Sequence, residues 1–450
     1  MRARGLTASV LRYPVRAVPL AFLGAIAVVT ALLMLPAARA GPGSASFLPA
    51  LFTATSAVCV TGLNVTDTLE YWSTFGHVLI TVATQIGGYG IMTVALLLAL
   101  LVSQRLGLRN RLLLQTESGG LSLGDVRWVL LRGALIVLVC ESTIAVILAA
   151  RLWLEYAYPP GRALWYGVFH AVQAFNNCGF ALFDGSLTRF VGDAWICLPI
   201  TFGVIAGSIG FPVLFDLRRW WRQPAHWSVQ TRLTIGGSIT LLVVGFLAIL
   251  AAEWANPHTL GPFDVPTKLL AAFVQGTMPR SGGFNSVEYG QMRDESIAIT
   301  IGLMFVGGGS ASTAGGIKVT TFFLLAFVLW AEIRGEPDVV VGRRRIATAT
   351  QRQAMTIALL GVAMVAVGTL LMMAFTRGLR FHWAMFEVVS AFSTTGLTGG
   401  VTGALPTEGQ VLLIVLMYVG RLGTIIAASA LALNTRHRLY QYPEERPIVG

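Results

Sequence analysis

Charged side chains are scarce in this chain of 450 residues, of which Asp, Glu, Lys and Arg make up 12% while hydrophobic residues make up 55%. A soluble domain carries about 25% charged residues. So few charges cannot cover a water-facing surface of this size, so a soluble class is excluded and most of the chain is expected to lie in lipid. The net charge of +11 does not indicate nucleic acid, because the basic residues stand between apolar runs rather than on one polar face.

Motifs for metal, redox and nucleotide chemistry are also lacking. The four cysteines form no CxxC pair and no histidine cluster accompanies them, so we expect neither a metal site nor a disulfide framework. No soluble domain and no nucleotide-binding pattern is recognisable. Energy or regulation must therefore come from ion gradients or from another chain, and the chain is not expected to be an enzyme.

Long apolar runs dominate what is present, and each is near or above the ~20 residues that cross a bilayer. Between the members of each pair of runs lies a shorter apolar segment that ends in turn-prone, glycine-containing sequence. Irregular backbone at membrane depth must be buried in protein or line water, so we expect these segments to be re-entrant pore loops. The long runs are 17–38, 76–102, 129–153, 193–217, 233–253, 297–330 (interrupted), 352–375 and 409–434, and the short segments lie near 47–61, 164–178, 268–282 and 382–395.

This alternation predicts an all-α polytopic membrane protein with eight spanning helices. It is built from four tandem helix–pore loop–helix repeats around a pseudo-fourfold central pore. The predicted repeats are 1–110, 111–225, 226–345 and 346–450, the last including a C-terminal tail. The N-terminal run at 21–35 imitates a signal peptide, but the first repeat needs it as a helix, so we expect it to be retained.

Basic residues predict the orientation of the chain. The loops after the second, fourth, sixth and eighth runs are rich in arginine, and this side should be the cytoplasm, together with both termini. These arginines are Arg105, Arg109, Arg111, Arg127, Arg218, Arg219, Arg222, Arg232, Arg334, Arg343, Arg344, Arg345, Arg352, Arg436, Arg438 and Arg446, with Arg2, Arg4, Arg12 and Arg16 before the first run. The outer loops carry fewer: Arg39, Arg151, Arg162, Arg189, Lys268, Arg280, Arg293, Arg377 and Arg380.

The four short segments share a pattern when they are aligned on one glycine each. A phenylalanine stands ten residues before each glycine, a small or polar residue six before it, and a bulky apolar residue directly after it. The glycines are Gly62, Gly179, Gly283 and Gly396, the phenylalanines are Phe52, Phe169, Phe273 and Phe386, and the polar positions are Ser56, Gln173, Thr277 and Ser390. One such loop would be an ordinary turn, but four in register favour a common function.

That function is predicted to be cation selection by backbone carbonyls. A short helix before each glycine would direct the negative end of its dipole at the pore axis. Glycine allows the turn back, and a ring of carbonyls can replace the hydration shell of a potassium ion. The expected ligands are the carbonyls of Cys59, Val60, Thr61 and Gly62; Asn176, Asn177, Cys178 and Gly179; Arg280, Ser281, Gly282 and Gly283; and Ser393, Thr394, Thr395 and Gly396.

The four loops resemble the filter loops of the Trk/Ktr/HKT potassium transporter superfamily, closest to the membrane subunit of Ktr systems. The resemblance rests on 56–63 (SAVCVTGL), 176–180 (NNCGF), 280–286 (RSGGFNS) and 390–397 (SAFSTTGL). The third loop has Ser281 and Gly282 where Thr-Ala is usual, and the second has Cys178 where Ala is common. Members with Ser in place of Gly62 tend to favour sodium, so Gly62 favours potassium.

The resemblance implies potassium uptake across a bacterial plasma membrane. It also implies a homodimer seated on a KtrA-like cytosolic ring of nucleotide-binding subunits. Potassium is the expected ion, and a role for sodium stays open. The alternatives are a Trk- or HKT-like transporter coupled to sodium or protons and, more remotely, an intramembrane enzyme, which has no reason to keep four loops in register.

A glycine-rich stretch interrupts the sixth run at 307–316. Five glycines in ten residues disfavour a helix, since each costs about 1 kcal/mol relative to Ala. A phosphate-binding loop is excluded because Val319 follows Lys318 where Ser or Thr is required, and a serine protease would need a base beside Ser310 or Ser312. A gate below the filter remains, and the resemblance supports it. Its expected residues are Gly307, Gly308, Gly309, Ser310, Ser312, Thr313, Gly315, Gly316, Lys318 and Arg421.

Lys318 and Arg421 are the two charges that we place within the predicted spans. An unpaired charge at the bilayer centre costs about 2.5–3.5 kcal/mol even on the mild insertion scale. Arg421 corresponds to a family arginine that projects toward the pore, and we expect it to be an electrostatic barrier near the gate. Lys318 either faces the pore or extends to the cytoplasmic interface.

Overall fold

The structure is a computed structural model that describes residues 14–105 and 123–433. Both chain ends lie outside these described residues, as do several of the basic residues that predict the orientation of the chain in the membrane. These basic residues are Arg2, Arg4, Arg12, Arg109, Arg111, Arg436, Arg438 and Arg446.

The first quarter of the described chain places a short helix between two long ones. Helix α1 (Pro14–Leu33) is followed by the short α2 (Phe47–Val58), the single turn α3 (Thr68–Tyr71) and the long α4 (Thr74–Arg105). Asp67 caps α3, because its carboxylate accepts the backbone N–H groups of Leu69 and Glu70 at 2.8 and 3.0 Å.

The second quarter contains α5 (Leu123–Leu154), the short α6 (Pro160–Phe175), α7 (Ala194–Ile209) and α8 (Phe211–Trp220). The predicted continuous run at 193–217 is wrong, because α7 and α8 meet at an angle of 95°. Gly210 makes the bend with φ 89°, and Pro212 stands at the start of α8, where its missing N–H and fixed φ suit a new helix.

A polar network joins the end of α5 to the start of α7. Asp193 caps α7 through the backbone N–H of Trp195 and accepts from Arg151 Nε at 2.8 Å and from the Tyr156 hydroxyl at 2.9 Å. Burial, and then the hydrogen bond to Asp193, raise the pKa of Tyr156 to about 12. Tyr156 therefore stays a hydrogen-bond donor at any physiological pH.

The second half repeats the long–short–long order with one interruption. It contains α9 (Val229–Glu253), the short α10 (Val265–Thr277), α11 (Asp294–Phe305) and α12 (Val319–Arg334), and then α13 (Thr348–Phe375), the short α14 (Phe381–Phe392) and α15 (Thr407–Leu433). The break between α11 and α12 includes the glycine-rich stretch, where helix propensity is lowest.

The fold is mostly helical, but the all-α prediction missed a small hairpin. Strands β1 (Val340–Val341) and β2 (Arg344–Arg345) pair antiparallel, with Val340 opposite Arg345. Gly342, with φ 67°, opens the two-residue turn between them.

The helices pack in a ring. Each short helix contacts the long helix before it, and α4, α7, α11 and α15 each contact the short helix of the next quarter. The last of these contacts joins α15 to α2, so the fourth quarter returns to the first. The short helices therefore lie inside a wall of longer ones.

The outer wall has the composition of a membrane-facing surface. Within the described ranges, three helices are long and apolar enough to cross a membrane: Leu130–Leu154, Val229–Glu253 and Thr348–Phe375. The bent pair α7–α8 is a fourth if it is counted as one span. Only 17% of the apolar window of Val229–Glu253 is buried inside the protein, so most of that helix presents apolar side chains outward. The count of eight spans stays a prediction.

Candidate functional site

Each short helix leads into a loop that contains one of the aligned glycines. In three of the quarters the helix ends four residues before the glycine, whereas α10 ends six residues before it. We call these segments the glycine loops: 59–62, 176–179, 280–283 and 393–396.

The glycines of these loops meet at one place. A Cβ built on Gly62 would lie 2.3 Å from the backbone nitrogen of Gly179, and one on Gly179 would lie 2.4 Å from the backbone carbon of Gly283. A Cβ on Gly283 would meet a carbonyl of the fourth loop at 2.7 Å, and one on Gly396 would meet a carbonyl of the first at 2.1 Å. Because real Cβ contacts essentially never fall below 3.0 Å, the loops close on one another in a ring that admits no side chain.

The four loops share an unusual backbone conformation. The residue two before each glycine has a positive φ: 55° at Val60, 59° at Asn177, 71° at Ser281 and 46° at Thr394. Such values are uncommon for non-glycine residues, above all β-branched ones, and cost about 1–3 kcal/mol each. The surrounding packing must therefore impose this conformation on all four loops alike.

Hydrogen bonds from the short helices hold this backbone. In three loops the residue before the glycine donates its N–H to a carbonyl of the short helix: Thr61 to Ser56 at 2.7 Å, and Cys178 to Gln173 and Thr395 to Ser390 at 2.8 Å. In the third loop Gly282 donates to Met278, the residue directly after α10, at 2.8 Å. The third loop differs because its acceptor lies four residues back, whereas the acceptor lies five back in the others. Cys59 and Cys178 are free thiols, and both side chains are fully buried.

The aligned phenylalanines anchor the short helices. Phe52, Phe169 and Phe386 are fully buried, and Phe273 is half-buried against the rings of Phe202 and Phe246, with centroids 6.4 Å apart in both pairs. The small or polar residue six before the glycine is not used in the same way in every loop. Ser56 Oγ accepts the N–H of Gly62 at 3.0 Å, whereas Ser390 Oγ has no hydrogen-bond partner.

Sequence reasoning missed a second set of glycines, which lie in the long helices. A Cβ on Gly87 would lie 2.1 Å from the carbonyl oxygen of Val58, one on Gly207 would lie 1.9 Å from that of Phe175, and one on Gly420 would lie 1.8 Å from that of Phe392. Each of these carbonyls belongs to the last residue of a short helix. The only sequence signal is a glycine within an apolar helix, where Ala would be the better helix former.

The segment between α11 and α12, which we call the 306–318 loop, lies directly against the glycine loops. Its ends are joined by paired backbone bonds, from Gly307 N–H to Ile317 O at 3.0 Å and from Ile317 N–H to Phe305 O at 3.1 Å. Thr313 Oγ1 donates to Asn177 Oδ1 at 2.7 Å, so the tip reaches the second glycine loop.

Arg421 and Lys318 both hold this loop. The Arg421 guanidinium is 3% exposed and donates through Nη1 to the carbonyl of Thr313, while its Nε and Nη2 have no hydrogen-bond partner. Lys318 Nζ folds back onto the carbonyl of Ala314. Two cationic groups therefore contact the backbone of the 306–318 loop near the glycine ring.

Comparison with known proteins assigns this architecture to a family. The sequence model of the TrkH family, described as a cation transport protein, matches residues 21–434. The chain belongs to the TrkH family. The kinship predicted from the glycine loops is thereby confirmed, and the chain is a membrane transporter rather than an enzyme.

Individual relatives of this TrkH-family chain cover nearly its whole length. It is 37% identical to Ktr system potassium uptake protein B of Bacillus subtilis, over 97% of both chains. It is 31% identical to the potassium/sodium uptake protein NtpJ of Enterococcus hirae, over 93% of both. The crystal structure of the potassium transporter TrkH from Vibrio parahaemolyticus has the same fold, with a TM-score of 0.72 at 19% identity over 94% of this chain and 85% of that one.

The side chain of Arg280 in this TrkH-family chain does not lie where the sequence suggested. We counted it among the outer-loop charges, but it is 4% exposed and turns inward. It donates to the carbonyl and hydroxyl oxygens of Ser238 at 3.2 and 3.1 Å and to the carbonyl of Gly307 at 3.4 Å. Position in a loop predicts exposure only where the loop faces water, and this loop enters the protein.

Glu141 is a further charge within a predicted span, so the expectation of only two such charges is wrong. Its Oε1 accepts from Asn176 Nδ2 at 3.1 Å, and the same Nδ2 donates to Gln85 Oε1 at 2.6 Å. A carboxylate within an apolar helix is a functional candidate by default. Glu141 was visible in the sequence as a charge in an apolar run. Its contact with Asn176 in the second glycine loop could not be predicted, because the two residues lie in different elements.

Proposed function

We propose that this chain takes up potassium ions through a selectivity filter formed by the four glycine loops, as the translocating subunit of a Ktr-type system. The observation that carries the proposal is the ring of four loops with one shared backbone conformation. An enzyme would not require four equivalent loops, whereas carbonyl coordination of a dehydrated cation does. The glycines of the four loops leave no room for a side chain where they meet, so backbone oxygens are the proposed ligands.

The short helices support the same role electrostatically. Their C-terminal ends carry partial negative charge and lead straight into the glycine loops, so α2, α6 and α14 favour a cation at the ring. The two relatives named above are a potassium and a potassium/sodium uptake protein. With Gly62 in the first loop, we propose potassium as the ion. A transporter coupled to sodium or protons is the alternative.

The 306–318 loop is the proposed gate, with Arg421 as its electrostatic barrier. A positive group beside the ring disfavours the passage of a cation, and its bond to Thr313 holds the loop where it obstructs the path. Movement of the loop would remove both obstacles together. The loop's non-helical backbone is consistent with a segment that lines a cavity rather than lipid.

We place the chain in the bacterial plasma membrane with its termini in the cytoplasm. The arginine-rich loops that follow the second, fourth, sixth and eighth apolar runs support this orientation. A homodimer bound to a KtrA-like cytosolic ring of nucleotide-binding subunits is the proposed assembly. The name of the Bacillus relative, a component of a Ktr system, supports a partner of this kind.

Replacement of Gly62 by Ser is expected to impair selective potassium uptake strongly. The new Cβ would collide with backbone of the second glycine loop at 2.3 Å, and both chain segments are fixed. Growth of a potassium-uptake-deficient bacterium at micromolar to millimolar potassium measures the effect. The potassium concentration for half-maximal growth should rise at least about tenfold, which corresponds to about 1.4 kcal/mol.

Gly378→Ser is the matched control for this experiment. Gly378 has φ 88°, close to the 90° of Gly62, but nothing lies within 4 Å of its Cβ position. Serine would have to adopt a similar positive φ at both positions, and only Gly62 touches the ring. Growth like wild type for Gly378→Ser and failure for Gly62→Ser would support the proposal. Equal growth of the two variants, or no rescue by wild type with a cognate ring subunit, would contradict it.

A further inference from the structure

The hydroxyl of Ser281 joins three separate segments. It donates to the carbonyl oxygen of Thr394 in the fourth glycine loop at 2.8 Å, and it accepts the backbone N–H of Gly315 in the 306–318 loop at 3.0 Å. Ser281 itself belongs to the third glycine loop and is 1% exposed. One side-chain oxygen thus connects two filter loops and the proposed gate.

The backbone at Gly315 is pressed against the fourth glycine loop. A Cβ on Gly315 would lie 2.0 Å from Thr394 Oγ1 and 2.3 Å from the carbonyl oxygen of Ser393. Only glycine allows the N–H to come within reach of the Ser281 hydroxyl at this point. The contact is therefore built from both sides, by a glycine in one loop and a hydroxyl in the other.

The chemistry of a hydroxyl makes this contact a relay. It has one proton, which is given to Thr394, and a lone pair, which takes the proton of Gly315. Accepting one hydrogen bond strengthens the other that the same group donates. The Gly315 N–H is buried, so its separation from Ser281 leaves it unpaired unless water replaces the partner.

We propose that Ser281 is a positioning residue that latches the 306–318 loop to the filter and couples their states. While the loop is seated, the hydroxyl donates to the carbonyl of Thr394 and weakens the bond of that oxygen to a passing ion. When the loop leaves, the Ser281–Thr394 hydrogen bond weakens, and the carbonyl binds an ion more strongly. The inference rests on the proposed function, since it assumes that the glycine loops are the filter and that the 306–318 loop is the gate.

The test compares Ser281→Ala with Ser281→Thr in the full chain reconstituted in liposomes. Thr keeps the hydroxyl, and Thr394 and Val60 show that β-branched residues occupy the equivalent backbone position in the other loops. Ser286→Ala is the matched control, because Ser286 is also buried and near the third loop but its hydroxyl has no hydrogen-bond partner.

Two readouts are needed, and one of them does not require transport. Ala311, half-buried in the 306–318 loop, is changed to Cys, and its modification by a soluble thiol reagent is timed. Unaltered chain gives the background from the native thiols. Potassium flux is measured in liposomes of the same composition that hold the chain without Ala311→Cys. Ser281→Ala is expected to speed both labelling and flux about tenfold, because the seated loop loses its hydrogen bond to Ser281. Ser281→Thr, which keeps the hydroxyl, is expected to speed both less than Ser281→Ala does, and Ser286→Ala to stay within about twofold of wild type.

The outcomes separate the latch from the transport function. Unchanged labelling in Ser281→Ala, or equal acceleration in Ser281→Ala and Ser281→Thr, would overturn the latch. Faster labelling in Ser281→Ala without faster flux, in a chain that conducts potassium, would overturn the coupling. Faster labelling in a chain that carries no potassium would overturn the proposed function and leave the hydroxyl contact established.

Discussion

Replacing Gly87 by Ala is expected to lower potassium uptake at least about tenfold. The added methyl would lie 2.1 Å from the carbonyl oxygen of Val58 and 3.0 Å from a methyl group of Val60. Val58 ends α2 and leads directly into the first glycine loop, so α2 and α4 must separate and the loop must shift with them. Interiors are close-packed, and such overpacking costs about 1–3 kcal/mol or more. Flux in liposomes and thermal unfolding measure the two consequences.

Gly90→Ala is the control within the same helix. Nothing lies within 4 Å of its Cβ position, and Ala is a better helix former than Gly by about 1 kcal/mol. Uptake like wild type and an unchanged or slightly raised unfolding temperature are expected. If Gly87→Ala transported as well as Gly90→Ala, the close approach of α4 to the end of α2 would not be needed for function.

Replacing Arg421 by Gln is expected to raise basal potassium flux about tenfold or more. The guanidinium is buried, contacts Thr313 in the 306–318 loop, and leaves two nitrogens without a hydrogen-bond partner. Few direct hydrogen bonds therefore compensate its charge. In surroundings of low polarity a unit positive charge repels a nearby cation strongly. Gln keeps a hydrogen-bond donor for the loop but removes the charge.

Arg421→Lys separates the charge from the shape of the side chain. Lysine keeps the positive charge but not the planar fork, so flux close to wild type is expected if the barrier is electrostatic. Flux measured in liposomes at several salt concentrations distinguishes the variants. A result in which Gln behaves like wild type, or in which Lys and Gln raise flux equally, would exclude the electrostatic barrier.

The loops that carry the proposed function could be predicted because their signal is local and repeated. The glycine, the phenylalanine ten residues earlier and the turn-prone residues between them lie within one short segment, and each copy supports the others. The positive φ values at Val60 and Thr394 were not predictable. Neither residue type favours that backbone, and it is imposed by packing between loops that are far apart in the sequence.

Contacts between different elements of the chain explain the other features that the sequence did not predict. The bend at Gly210 lies within an apolar run, so hydropathy did not predict an interruption of the helix there. The closely spaced Gly210 and Pro212 are a sequence signal for such an interruption. The role of Gly87, Gly207 and Gly420 depends on the short helix that packs against each of them, and hydropathy carries no signal of that contact. The inward turn of Arg280 depends likewise on Ser238, which lies in a different helix.

The most direct measurement is uptake of a rubidium tracer by the purified chain in liposomes, with a cognate ring subunit present or absent, under competition by potassium or sodium. Potassium is predicted to inhibit tracer uptake at concentrations at least about tenfold lower than sodium does, since a carbonyl ring discriminates by ion size and dehydration. Gly62→Ser is predicted to remove that preference, and Gly378→Ser to retain it. No tracer uptake under either condition, or equal competition by sodium and potassium in the wild type, would contradict a potassium filter built from the four glycine loops.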